Sequence, residues 1–241
     1  MKLALTTTES NIILETSSKD NFIRDPNYYY YSGVIPNPKE EVQTQIQTND
    51  LLRLVLGTDG GIVVMQNRLM FQQLIESKSR QSIYIDSMTR KYLESMPNME
   101  YQKMVTTFVG HVPFDERQPL AAVKYLTDTF VAPGPWVDFG TTPAQTGLTF
   151  LYNLESSRLT LNVNHGTLRK PDETIIPIVM FHAEFNYHIQ ADTQSQLLQN
   201  LIEVVDNWQL DLKMYQNLVN TRFLNTNIHK NSRKRVFLKA S

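Results

Sequence analysis

The chain has 241 residues, of which 41% are hydrophobic and 20% charged, as in ordinary globular proteins, and this composition excludes wholesale disorder. Its formal net charge of −1 lacks the basic excess that is typical of nucleic-acid and membrane-surface proteins. The absence of cysteine excludes disulfides, thiolate-bound zinc, iron–sulfur clusters and thiol nucleophiles.

Residues 1–50 are predicted to form an N-terminal arm or extension. Residues 2–16 have the pattern of one or two short strands, and the following segment to Asp50 is poorly periodic and interrupted by prolines. Within it, the run from Tyr28 to Tyr31 predicts a short strand docked along the body. The N-terminus lacks the apolar core of a signal peptide and no stretch reaches the ~20 apolar residues of a spanning helix, so a cytoplasmic protein is expected.

Residues 51–228 are predicted to form one α+β core domain. It begins with a hairpin in which Leu51–Leu56 and Ile62–Met65 flank Thr58-Asp59-Gly60-Gly61, where Asp-Gly supplies positive φ angles. The elements predicted next are a helix over 69–78, a strand over 82–86, a helix over 88–96, a strand over 103–112 and a helix over 119–131. A loop rich in proline and glycine follows at 132–147, and it carries Trp136.

Three strands are predicted after this loop, over 148–154, 159–163 and 178–189, because apolar and polar residues alternate in each. In the last strand the alternation places Phe181, Phe185 and Tyr187 on a core face. It places His182, Glu184 and His188 on the opposite, polar face.

A long C-terminal helix is predicted from Thr193, its N-cap, to about Phe223. Its apolar seam repeats at spacings of three and four residues and consists of Leu198, Leu201, Val205, Trp208, Leu212, Tyr215 and Val219. The expected fold class is therefore α+β, with an antiparallel sheet packed against this helix and several shorter helices. Residues 229–241 are predicted to be a basic C-terminal tail.

The residues with the most reactive chemistry are the histidines and the carboxylate of the last two strands. His182, Glu184 and the preceding strand's His165 have the imidazole and carboxylate groups that bind transition metals. His188 lies about 20 Å along the strand from His182, at ~3.3 Å per residue, and cannot share an ion with it. The favoured interpretation is a polar sheet face that contacts water or a partner, with no cofactor.

From Gly147 to Thr226, the sequence resembles the C-terminal part of an uncharacterised, sporadically distributed bacterial family. The resemblance is carried by the segments Leu148–Phe150, Arg158–Val163 and Phe181–Phe185 and by the long helix with Trp208 and Phe223. That family ends in strands followed by a long helix. The resemblance covers about a third of the chain and implies no function.

The leading functional hypothesis is a non-enzymatic binding or assembly protein that engages a protein partner or a second copy. It would use the polar face with His182, Glu184 and His188, the Trp136 loop and the helix seam. One alternative is a small-ligand or metal site, with enzymatic chemistry, between sheet and helix around His182 and Glu184. Another is nucleic-acid contact through the basic tail, which carries Lys230, Arg233, Lys234 and Arg235. No membrane association is expected.

Overall fold

An antiparallel sheet forms the frame of the protein in the computed structural model, which describes residues 3–17, 22–35, 42–79, 82–132, 134–136, 139–141 and 144–225. Over these residues the sheet has nine strands in the order β2-β3-β4-β5-β1-β6-β9-β8-β7. The strands are β1 (Thr6–Thr16), β2 (Val42–Gln47), β3 (Leu52–Leu56), β4 (Gly60–Met65), β5 (Arg68–Leu74), β6 (Tyr101–Pro113), β7 (Leu148–Asn153), β8 (Arg158–Arg169) and β9 (Ile175–His188). The predicted α+β class with an antiparallel sheet is confirmed.

The strand β1 lies at the middle of this sheet. It pairs antiparallel with β5 on one side and with β6 on the other. Ile12 and Leu14 of β1 are fully buried in the core. The residues that the sequence assigned to an N-terminal extension thus include a central strand. The pairing partners of β1 are distant in the sequence, from Glu15 with Arg68 to Thr6 with His111, and leave no local signal.

The predicted hairpin at 51–65 is confirmed as β3 and β4, but its turn differs in detail. Leu56 pairs with Gly60, so the connection consists of residues 57–59. The positive φ angle belongs to Gly57, at +56°, and Gly60 already lies in β4. Asp59 and Gly60 therefore do not supply the positive φ angles as predicted.

The prediction of a helix over residues 69–78 is wrong. Residues 68–74 form β5, which follows β4 after the two-residue link Gln66-Asn67. Leu69, Phe71 and Gln73 alternate into the core, and this period-two burial outweighs the weak helical spacing of the apolar residues.

The predicted strand over 82–86 is also wrong, because the helix α2 (Ile85–Ser95) begins inside it. The buried Gln73 of β5 holds this helix start, since its Oε1 accepts hydrogen bonds from the amides of Tyr84 and Ile85 at 2.9 and 3.1 Å. Because this capping side chain is eleven residues upstream of Tyr84, the residues next to the helix start do not reveal it.

The tyrosine run forms the helix α1 (Pro26–Tyr31) rather than a strand. Asp25 caps it by accepting from the amide of Asn27 at 3.0 Å, and Pro26 occupies the first helical turn. Tyr29 is fully buried and stacks on Tyr92 of α2, with ring centroids 6.1 Å apart. The tyrosine run therefore packs against the body of the protein, as predicted, although it does so as a helix.

The remaining helices are α3 (Ala121–Phe130), α4 (Gln194–Asp206) and α5 (Trp208–Leu218), followed by a π-helical turn over Val219–Phe223. They and α2 pack on the same side of the sheet, because their buried residues join one core cluster with the alternate strand residues Ile12, Phe108 and Phe185. A bidentate ion pair of Arg90 with Asp206, at 2.7 and 2.8 Å, links α2 to α4. None of the helices in the described ranges is both long and apolar enough to cross a membrane.

The single long helix predicted from residue 193 to 223 is not found. Thr193 caps α4 as predicted, accepting from the amide of Gln196 at 3.2 Å, but the helix ends at Asp206 and α5 begins after Asn207. At the break, Leu210 donates to the carbonyl of Asn207 in a tight i+3 bond of 2.8 Å. The buried positions after the break include Asp211, whereas the predicted seam residue Leu212 is only partly buried.

Two polar side chains on the buried side of α5 donate hydrogen bonds to the central strands of the sheet. The indole Nε1 of Trp208 donates to Ser10 Oγ of β1 at 2.9 Å, and the hydroxyl of Tyr215 donates to the carbonyl of Phe181 in β9 at 2.9 Å. Trp208 is 1% exposed, which confirms its predicted burial between helix and sheet.

Candidate functional site

Two features of the structure have the character of functional sites, and they lie on opposite sides of β9. The first is the sheet face away from the helices, which we call the open face. Along each strand, the residues of this face alternate with the residues of the core. The central part of the face consists of the odd-numbered residues in Glu9–Glu15 of β1, the odd-numbered residues in Lys103–His111 of β6 and the even-numbered residues in Met180–His188 of β9. Val105, on this face, is 3% exposed and yet lies outside the core cluster that the helices cover.

An apolar row crosses four neighbouring strands of the open face. Val63 of β4 lies opposite Met70 of β5, Met70 opposite Ile13 of β1, and Ile13 opposite Val105 of β6. Side chains in direct cross-strand register are about 5 Å apart, so these four shield one another from water. We call this set the apolar row.

A charged row and a polar row flank the apolar row. The charged row contains Glu15, which pairs with Arg68 at 2.8 Å and with Lys103 at 3.7 Å. In the polar row, Asn11 donates from Nδ2 to Thr107 Oγ1 at 2.9 Å. Glu9 lies beside this row and its Oε1 accepts from the amides of Asn11 at 2.9 Å and Gln72 at 3.0 Å. The hydrogen bonds fix these side chains, so the open face has a defined polar pattern around its apolar centre.

The histidines predicted as a metal group do not come together. His182 and Glu184 are neighbours on the open face, with Nδ1 and Oε1 3.9 Å apart and side chains 36% and 37% exposed. His165 lies opposite Val179 in unbroken β8–β9 register, which places it on the helix-covered side of the sheet. The predicted metal site of His182, Glu184 and His165 is therefore wrong, since His165 lies on the other side of the sheet from His182 and Glu184.

His188 is the last residue of β9 and pairs with Lys103, six residues along the strand from His182. Among the residues that the structure describes, no group of three histidine or acidic side chains gathers closely enough to hold a metal ion.

Trp136 lies in the connection between α3 and β7 and is 38% exposed. The basic tail with Lys230, Arg233, Lys234 and Arg235 lies outside the described residues.

The second feature is a groove on the helix side of the sheet, with a volume of about 500 Å³. It lies between the end of β9, the turn between β7 and β8, and one side of α4 and α5. We call it the β9–α5 groove, and its lining residues are Ser156, Tyr187, His188, Ile189, Gln190, Asn200, Glu203, Val204, Asn207, Leu210, Asp211 and Met214.

Asp211 is the most unusual residue of this groove, because a carboxylate there is 6% exposed. Its two oxygens accept from the Tyr187 hydroxyl, each at 2.8 Å, and Oδ2 also accepts from the hydroxyl of Thr106 at 2.9 Å. Among the described residues, no lysine, arginine or histidine forms an ion pair with it. Burial raises the pKa of the Asp211 carboxyl, although the hydrogen bonds from Tyr187 and Thr106 act in the opposite direction.

The sequence did not single out Tyr187 or Asp211 as site residues. The pattern indicated Tyr187 as a core residue, and Asp211 stands beside Leu212, which fits the apolar seam. The spacing of three residues from Trp208 to Asp211 and four from Asp211 to Tyr215 is the available signal, because it places an acidic residue on the buried side of a helix.

Comparison with known proteins adds no assignment to these features. No protein-family model matches the chain and no curated protein matches it significantly. The resemblance to a sporadically distributed bacterial family stays a prediction.

Proposed function

We propose that this is a non-enzymatic assembly protein whose open face engages another protein surface, and that this surface is a second copy of the chain. The observation that carries the proposal is the apolar row of Val63, Met70, Ile13 and Val105, which crosses the middle of the sheet face opposite the helix-covered core. Three of the four side chains are partly exposed there, and Val105 is buried. Apolar strips framed by polar residues are the usual anatomy of protein interfaces.

The size of the open face suits a stable dimer. The five strands from β4 to β9 are together about 24 Å wide at ~4.8 Å per strand, and the eleven residues of β1 extend over about 37 Å. A patch of these dimensions has roughly 800–900 Å², which equals the share of one partner in an interface of standard size.

The charges of the open face favour a second copy over a strongly charged partner. Three acidic residues, Glu9, Glu15 and Glu184, and two basic residues, Arg68 and Lys103, are interspersed around the apolar row. When such a face meets its own copy about a twofold axis, opposite charges can be brought together at the rim. A nucleic acid would require a basic excess, which this face lacks.

The exposure of His182 and Glu184 supports binding over catalysis on this face. Both side chains are about a third exposed on an open surface. Enzymes commonly close their sites to water, because electrostatic interactions are stronger there.

The mass of the protein in solution, measured by light scattering across a dilution series, tests the proposal. The parent should have twice the mass of the chain, and Ile13→Lys should shift the dimer toward monomer at least tenfold in dissociation constant. Lysine on a half-buried position of the apolar row places an ammonium in the apolar centre of the interface.

Leu120→Lys is the matched control, because Leu120 is 55% exposed and precedes α3 on the helix side of the sheet. This variant should keep the parent's mass. A parent that is monomeric up to the highest concentration it tolerates, or an Ile13→Lys variant that dimerises like the parent, contradicts the proposal.

A further inference from the structure

The β9–α5 groove holds a feature that assembly through the open face does not use, namely the buried carboxylate of Asp211. An ionised carboxylate removed from water costs several kcal/mol unless charge or hydrogen bonds offset it. The two hydroxyls of Tyr187 and Thr106 offset part of this cost. A carboxylate has about four lone-pair directions. Each hydroxyl donates one hydrogen, and that of Tyr187 is shared between the two carboxylate oxygens, so about two directions are left for a ligand.

The groove is acidic. Among the residues that the structure describes, twelve line the groove, and they include the two carboxylates of Asp211 and Glu203, one histidine and no lysine or arginine. A small site with this composition attracts a cation and repels an anion.

The apolar residues of the groove favour an organic ligand over an inorganic ion. Leu210 and Met214, at the mouth of the groove, are 57% and 44% exposed. Val204 and Ile189 also line the groove. A volume of about 500 Å³ lies in the range of pockets for small organic molecules.

We infer that the β9–α5 groove binds a small organic cation, an ammonium group on a short aliphatic chain, with the ammonium against Asp211 and the chain against Leu210 and Met214. This ligand satisfies both parts of the site, since its N–H groups donate to the carboxylate and its methylene groups cover exposed apolar surface. The inference is independent of the assembly proposal, because it uses the other side of β9.

The test compares n-hexylammonium with uncharged n-hexanol, which has the same chain length, by titration of the parent protein. Binding is followed by the methyl signal of Met214 in a methionine-methyl NMR spectrum, assigned with Met214→Leu. Hexylammonium should shift this signal and bind about 10-fold more tightly than hexanol, as expected for one charge-assisted hydrogen bond in a buried site. Equal affinities, or no shift of the Met214 signal up to the solubility of the amine, would overturn the inference.

Asp211→Asn keeps the shape of the side chain and removes its charge, so it should weaken hexylammonium about 10-fold and leave hexanol unchanged. Asp206→Asn is the control, since Asp206 is the last residue of α4, which also lines the groove, but its side chain pairs with Arg90 of α2 and is not among the lining residues. Leu210→Lys provides a second variant that does not alter the core, and its ammonium at the mouth should weaken hexylammonium more than hexanol. Unchanged hexylammonium binding in Leu210→Lys, or in a folded Asp211→Asn, contradicts the proposed ligand.

Discussion

Gly110 lies in the central strand β6 directly below α5, and its replacement by alanine should be strongly destabilising. A Cβ atom at this position would be 2.7 Å from the carbonyl oxygen of Thr6, 2.8 Å from the hydroxyl of Tyr215 and 2.9 Å from Leu5 Cδ1. The Thr6 oxygen belongs to the backbone of the neighbouring strand and cannot rotate away. Gly110 has no positive φ angle, so the reason for glycine is space rather than backbone conformation.

The expected cost has two parts. Forcing a methyl group into a filled site costs about 1–3 kcal/mol of folding free energy. Displacement of the Tyr215 hydroxyl would also break its 2.9 Å hydrogen bond to the carbonyl of Phe181, which contributes about 1 kcal/mol. Gly110→Ala should therefore lower the free energy of unfolding by about 2–4 kcal/mol.

Gly166 of β8 supplies the control, because a Cβ there would meet only Ile178 Cγ1 at 3.6 Å and Cδ1 at 3.8 Å, ordinary packing distances. Gly166→Ala should raise stability by about 0.5–1 kcal/mol, since alanine restricts the unfolded chain. Urea denaturation followed by circular dichroism and tryptophan fluorescence measures both variants.

A double-mutant cycle locates the clash. Tyr215→Phe removes the hydroxyl, so it should destabilise the parent but cost much less in the Gly110→Ala background, with a coupling energy of about 1 kcal/mol or more. If Gly110→Ala is as stable as Gly166→Ala, or the two changes at 110 and 215 are additive, α5 does not pack against β6 in the way described.

Four further outcomes are expected. Trp208→Ala should lower the free energy of unfolding by about 3–5 kcal/mol, and the parent's indole emission should be that of a buried ring; an unchanged urea midpoint would contradict its burial. Burial raises the pKa of Asp211, so the native state binds this proton more tightly than the unfolded chain does. The stability that the protonated carboxyl contributes is therefore present at acidic pH and is lost as pH rises through the raised pKa. Asp211→Asn should therefore gain stability relative to the parent between acidic and neutral pH, and parallel pH profiles of the two proteins would contradict this. Purified protein should contain no stoichiometric transition metal, and His182→Ala should change stability by less than about 0.5 kcal/mol; one equivalent of metal that this variant loses would restore the metal hypothesis. Deletion of residues 229–241 should leave the thermal midpoint unchanged, and a large loss of stability would show that the tail contributes to the fold.

The strands β6, β7 and β9 and the first half of β8 could be predicted from the sequence because their information is local, whereas β8 continues beyond the predicted 159–163 to Arg169. In the segment from Phe181 to His188, apolar and polar residues alternate without interruption, and this pattern alone separates the core face from the open face. The N-cap at Thr193 and the helix that contains Leu126 were equally visible for the same reason.

Several of the wrong predictions depend on partners that are distant in the sequence. The start of α2 is fixed by Gln73 of β5, and β5 is a strand because it pairs with β1. His165 and His182 fall on opposite sides of the sheet because of the β8–β9 register, which alternation within one strand cannot give. The position of Asp211 toward the sheet depends on Thr106 and Tyr187, 105 and 24 residues away.

The alternation along β9 also makes the two proposed sites separable. Tyr187 points to the groove side, where it donates to Asp211, whereas Glu184 and Asn186 are on the open face. A ligand against Tyr187 and a second copy against Glu184 would thus contact different side chains of one strand, and His188 at the end of β9 is the residue that borders both surfaces. Ile13→Lys should therefore weaken the dimer without weakening the binding of hexylammonium, and Asp211→Asn should weaken the binding of hexylammonium without changing the mass in solution. If either variant changed both properties, one of the two surfaces would be assigned to the wrong activity.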